Sequence, residues 1–193
     1  GLMAYLNKEY VNLLCVDLIC HGVGSPKVFQ SSIEYYERIY KKKIKEYSFR
    51  NRKTWLGNVK IYVSEHKLDD RKSRFVDRDV YNRLFLSQLC LRPSCGGNCK
   101  FRTSNRFGDI TIADFKNKEA VLPHLKDHRN YSTIVVNSKK GDEVFKKLSN
   151  KMDILRCAID DVKKYNPLFY RHTTDNQFTN EFFKDYLDGL TMD

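Results

Sequence analysis

No apolar run in this 193-residue chain approaches the roughly 20 residues a helix needs to span a bilayer. Residues Gly1 to Tyr10 lack the basic stretch followed by an apolar stretch that marks a secretory signal, so a cytoplasmic location is expected. There is no internal repeat, low-complexity segment or linker-like stretch. Residues 1–193 are therefore read as one domain, long enough to bury a core. The dinucleotide and phosphate-loop glycine patterns, G-x-S-x-G and H-E-x-x-H are all missing, leaving no motif for the enzyme classes they mark. Acid is the minority charge: 24 acidic against 35 basic residues give a net charge of +11. That balance favours an acidic partner: a nucleic acid, an acidic electron carrier, or a ligand with phosphates or carboxylates. The aromatic residues near basic ones, Phe49-Arg50, Tyr62 and Phe101-Arg102, form no nucleic-acid signature, which disfavours the first of these.

Cysteine, by contrast, is concentrated. Three of the six fall in the ten residues Cys90-Leu-Arg-Pro-Ser-Cys95-Gly-Gly-Asn-Cys99, where a proline and a Gly-Gly turn let thiols converge. Without a secretion signal, clustered thiols point to metal ligation or catalysis before disulfides. A fourth ligand is required, and Cys20, His21, His66, His124, His128 and His172 are available. Cys20 fits best, because it lies in a Gly/Pro loop after an apolar strand, and ligands gather at strand ends. Four thiolates suit zinc or an iron–sulfur cluster, and local spacing does not separate the two. Cys15 and Cys157 sit in apolar runs and read as small buried hydrophobes.

Residues 12–19 read as a buried strand. Ser25 and Pro26 then supply an N-cap and a first helical residue. Val28, Phe29, Ile33, Tyr36 and Ile39 continue at helical spacing, and the run Lys41-Lys42-Lys43-Ile44-Lys45 suits the exposed C-terminal end of that helix. Strands are expected over 44–49, 59–63, 107–115, 131–136 and 154–159, and helices over 80–89, 141–148 and 180–190. The charged stretch 65–79 reads as a loop. This interleaving predicts an α/β (or α+β) domain, with a mixed β-sheet flanked by helices and a cysteine-rich loop. Asp109 and Asp114 are five apart on a strand, so alternation sends them to opposite faces and argues against a paired-carboxylate site. His21, beside Cys20, could tune that thiol or donate a proton.

The strings Val16-Asp-Leu-Ile-Cys-His-Gly-Val23, Ser25-Pro-Lys-Val-Phe29, Leu86-Ser-Gln-Leu-Cys-Leu-Arg-Pro-Ser-Cys95, Cys99-Lys-Phe101 and Asp109-Ile-Thr-Ile-Ala-Asp-Phe115 occur in that order. Over about residues 2–170 the chain resembles the C-terminal region of the coenzyme F420 hydrogenase/dehydrogenase beta-subunit family. The resemblance implies an iron–sulfur, flavin-linked oxidoreductase that exchanges electrons with ferredoxin or a deazaflavin coenzyme. It implies Cys20, Cys90, Cys95 and Cys99 as ligands of a 4Fe-4S cluster, and Asp109, Thr111 and Asp114 in the vicinity of FAD. It also implies other subunits or an N-terminal portion preceding Gly1. Gly96-Gly97-Asn98 puts three residues where the family has two. Ala113 and Lys116-Asn117 replace a glycine and a Trp-Gly. The alternatives are a zinc-stabilised basic binding module and a cofactor-free paralogue with a scaffold role.

Overall fold

A computed structural model describes residues 5–8, 10–49, 58–63, 74–75, 79–95, 99–103, 105–125, 131–170 and 176–189. In chain order the elements are β1 (Val16–Leu18), α1 (Pro26–Tyr40), β2 (Ile44–Ser48), β3 (Asn58–Val63), β4 (Arg74–Phe75), α2 (Val80–Leu86), β5 (Ile110–Asp114), α3 (Lys118–Val121), β6 (Ser132–Val136), α4 (Lys139–Leu148), α5 (Ile159–Tyr165) and α6 (Thr179–Leu187). The expected α/β architecture with a mixed sheet is present. The chain divides into two compact units: Gly1–Cys20 with Cys99–His172, and His21–Asn98 with Thr173–Asp193. Residues 21–98 of the second unit thus fall in the chain between β1 and β5 of the first, and residues 173–193 follow it.

The first unit carries the mixed sheet, ordered β1-β5-β6. β1 runs parallel to β5, with Leu18 opposite Ile112. β6 runs antiparallel to β5, with Ile134 opposite Ile112. Alternation turns Thr111 and Ala113 into the interior, where Ala113 packs with Val162 of α5 and with Phe169. The other side of the sheet leaves Leu18, Ile112 and Ile134 partly exposed. Helix α4 starts at Ser138, whose hydroxyl accepts the Gly141 N–H and so satisfies one of the amides a helix start leaves open.

The second unit is built on α1 and the antiparallel sheet β2-β3-β4. Ser25 caps α1, with Pro26 as its first residue, and Lys41 ends it in the left-handed conformation. Buried Val28, Tyr81 and Cys90 form one core cluster, packed against Phe182, Phe183 and Tyr186 of α6. Tyr36 and Ile61 form another.

Several expectations are corrected. Residues 154–159 form no strand. Residues 153–158 are irregular, and α5 begins at Ile159. Ile154 and Leu155 are 40% and 42% exposed, and Asp160 and Asp161 in the first turn of α5 favour a helix start there. Cys157 is accordingly exposed, and Cys15 is only half-buried, because it precedes a strand that lies at a sheet edge. That strand spans three residues, not eight, and Val16 and Leu18 are exposed. Helix α2 stops at Leu86, since Ser87 caps it and Gln88 adopts a positive φ of 68°. Among the described residues no helix is long and apolar enough to cross a membrane.

Candidate metal and redox site

In the second unit, the loop after Cys20 is stitched to the cysteine segment by its backbone. The Ser25 N–H donates to the Cys90 carbonyl at 2.7 Å and the Arg92 N–H to the Val23 carbonyl at 2.8 Å, with Gly24 bridged to Leu91 between them. The Val23 N–H reaches the Cys95 Sγ at 3.2 Å. Gly22, at φ 149°, makes this approach possible, because a methyl there would stand 2.9 Å from Leu91 Cδ1. Cys95 closes a short turn, its N–H donating to the Arg92 carbonyl at 2.8 Å.

Cys90 is fully buried beside Val28 and Tyr81. Burial pushes its thiol up to about 11, against the pull of the Ser25 N–H and of its own N–H. His21 Nε2 lies 3.0 Å from the Phe85 carbonyl, which requires Nε2 to carry the proton. Its ring rests on Phe85 at 4.9 Å.

Cys20 and Cys99 belong to the first unit. Cys20 is exposed and Cys99 half-buried. Arg102, only 7% exposed, spans both: its N–H donates to the Cys99 carbonyl at 3.2 Å and its Nη2 to the Cys20 carbonyl at 2.7 Å. Arg106 repeats the device two residues earlier on β1. Its Nη2 donates to the Leu18 carbonyl at 3.4 Å, its Nη1 to the Phe101 carbonyl at 2.9 Å, and its charge pairs with Asp17 at 2.9 Å. Ile19 bonds inward to β5, so Leu18 and Cys20 present their carbonyls on the outer edge. Two arginines therefore occupy alternate carbonyls of the edge strand, which would otherwise invite pairing.

The residues expected near a flavin separate. Asp109 accepts the Cys15 N–H at 2.8 Å and the Ser138 hydroxyl at 2.6 Å, and lies 3.6 Å from Lys140 Nζ. Burial opposes its charge, but the Cys15 N–H, the Ser138 hydroxyl and Lys140 together hold its carboxyl below the ordinary range. Thr111 is fully buried and its hydroxyl accepts from Asn137 at 2.8 Å. Asp114 is exposed. The methyl of Ala113 fills the core.

Among the described residues no three His, Cys, Asp or Glu side chains converge as metal ligands. The cysteine residues are tied instead through intermediaries within each unit: the 22–25 loop bonds the Cys90 carbonyl and the Cys95 Sγ, and Arg102 bonds the carbonyls of Cys20 and Cys99. Among the described residues no disulfide joins any two cysteines. Sulfurs that accept backbone N–H groups match the donor environment of a cluster or a thiolate-bound metal. His124 is exposed. His66, His128, His172 and the spacer 96–98 lie outside the described residues. Sequence reasoning found the thiols but missed the Val23 N–H and Arg102, whose partners are 72 and 82 residues away.

No curated protein and no solved structure matches the chain. A family model describing the C terminus of the coenzyme F420 hydrogenase/dehydrogenase beta subunit matches residues 2–162. That match takes in all four thiols, both arginines and the whole mixed sheet, and the chain belongs to this family, the C-terminal part of the coenzyme F420 hydrogenase/dehydrogenase beta subunit.

Proposed function

We propose that the chain is an iron–sulfur, flavin-linked electron-transfer module in which Cys20, Cys90, Cys95 and Cys99 hold a 4Fe-4S cluster. The observation that carries this reading is the Val23 N–H at 3.2 Å from Cys95 Sγ. It joins the loop after Cys20 to the cysteine segment at a sulfur atom. When bound, the cluster supplies one-electron transfer and FAD the conversion to two-electron chemistry. The chain's own residues set the conditions. Cys90 is screened from water, N–H groups stabilise charge on sulfur, and the apolar core beneath keeps the local dielectric low. Of the three residues assigned to the flavin's vicinity, Asp114 is open to such a group, while Asp109 and Thr111 shape the strand beside it. The net charge of +11 suits acidic redox partners, a ferredoxin or the acidic tail of a deazaflavin coenzyme, and the family's beta-subunit description suits assembly with other subunits.

Purification without oxygen tests the reading, since exposed thiolate sites oxidise in air. Protein carrying iron and sulfide, with a brown visible spectrum, is expected; bound flavin would add yellow absorbance. Cys95→Ser should abolish iron uptake, and Cys157→Ser, at an exposed thiol outside the set, should leave it unchanged. Colourless, zinc-loaded protein would overturn the assignment in favour of a structural metal.

A further inference from the structure

We infer that two copies of this chain associate through the outer edge of β6, their mixed sheets joining antiparallel into one. The Asn137 N–H donates to the Asp109 carbonyl at 2.9 Å and the Phe115 N–H to the Tyr131 carbonyl at 3.0 Å. The β5–β6 register is unbroken between these bonds. Alternation therefore turns the backbone of Thr133 and Val135 toward β5, and that of Ser132, Ile134 and Val136 away from it. β6 is the last strand of its sheet, and among the described residues no strand pairs with that outward row. The two edges of the sheet differ. On β1, Arg106 and Arg102 occupy the Leu18 and Cys20 carbonyls. The edge strand Ser132-Thr-Ile-Val-Val136 has neither a charge, a proline nor a bulge, the devices that keep an edge from pairing.

Charge selects the occupant. At a net charge of +11 two copies repel over most of their surface, so they associate best where charge is absent. The β6 edge is such a place. Ile134 lies in register with Ile112 and, through it, with Leu18, and this uncharged row is partly exposed along its length. A strand of an acidic partner would find no basic side chain in β6 to pair with. Antiparallel pairing centred on Ile134 is also self-complementary, as a twofold interface requires. Ile134 then faces its counterpart in the other copy, and Ser132 faces the other copy's Val136. The apolar rows of the two sheets continue into one another, with the two Ile134 side chains as a cross-strand pair.

Sedimentation equilibrium of the full chain tests the pairing, under a reducing agent that removes disulfide-linked dimers, together with amide hydrogen exchange read by nuclear magnetic resonance. The wild type should pass from monomer to dimer with a dissociation constant of roughly 1–100 µM. As the dimer forms, exchange at Ile134 and Val136 should slow by about tenfold or more. Thr133 and Val135, bonded to β5 in either state, should keep their rates. Ile134→Pro removes an outward N–H and no bond to β5, so this variant should be folded and monomeric. Ile134→Lys places two like charges at the axis and should weaken dimerisation by about tenfold or more. If Ile134→Pro fails to fold, Ile134→Lys decides. A wild type that stays monomeric up to roughly 300 µM overturns the proposal. So does a dimer that survives Ile134→Lys unweakened, or one whose formation leaves exchange at Ile134 unchanged, since either places the contact on another surface.

Discussion

Asp79 is fully buried and serves as the acceptor around which the second unit is arranged. It takes hydrogen bonds from Tyr36 Oη at 2.8 Å, Tyr47 Oη at 2.6 Å, the Asn82 N–H at 2.8 Å and Asn82 Nδ2 at 2.9 Å. Burial, together with the Asp79 charge, raises the Tyr47 hydroxyl far above the ordinary phenol range, so it remains a donor. Each buried donor left without an acceptor costs about 1–3 kcal/mol. Asp79→Ala should therefore lower stability in urea unfolding by about 3–5 kcal/mol, and Tyr47→Phe by about 1–2 kcal/mol. Equal losses from the two would show that the carboxylate is not the common acceptor. Asp109 gives a pH signature in the first unit. Its folded pKa lies below the reference value of 3.8, so its contribution is present above that value and is lost as pH falls through the folded one. Thermal unfolding across a pH series should show the wild type losing stability on acidification more steeply than Asp109→Asn. Parallel curves would remove Asp109 as the source. Neither role was legible beforehand, because the partners of Asp79 and Asp109 come from distant segments.

At the scale of elements, what was legible had a local cause. Ser25 and Pro26 announced α1, and the alternation of Val59, Ile61 and Val63 announced β3. The segment 154–159 misled because an apolar run has no periodicity that reveals whether anything covers it. The thiols were legible by type and spacing, but the groups that hold Cys95 and Cys20 were not, because those hydrogen bonds span 72 and 82 residues. Gly141 of α4 is a case where packing opposes propensity. Alanine in a helix interior is normally better than glycine by about 1 kcal/mol, so Gly141→Ala should stabilise if only propensity mattered. A methyl at Gly141 would instead collide with the Asp109 backbone carbonyl, which neither rigid element can move aside. The net effect expected is destabilisation by about 1–3 kcal/mol, seen as a lower denaturant midpoint. A higher midpoint would mean that α4 can lift from the strand without cost.

At the scale of the whole molecule, the chain leaves the first unit after Cys20 and re-enters it at Cys99, so Cys20 and Cys99 belong to the first unit and Cys90 and Cys95 to the second. The second unit is completed by residues 173–193, beyond the family match that ends at 162. Helix α6 in that tail supplies Phe182, Phe183 and Tyr186 to the cluster containing Cys90. It is pinned by Ser31 Oγ to Tyr186 Oη at 2.8 Å, and the segment before it by Asn176 Nδ2 to the Ser87 carbonyl at 2.8 Å. The tail therefore contributes to the burial that raises the Cys90 thiol to about 11. Deleting residues 176–193 removes none of the proposed ligands but uncovers that core. Alkylation of the apo-protein, read cysteine by cysteine with mass spectrometry, checks the consequence. In the full chain Cys90 should react far more slowly than exposed Cys157. After the deletion its rate should rise to approach that of Cys157, because lost burial returns its thiol toward the reference value of 9.0, while half-buried Cys15 in the first unit stays slower than Cys157. Continued protection of Cys90 would mean that α1 and α2 bury it without help from α6.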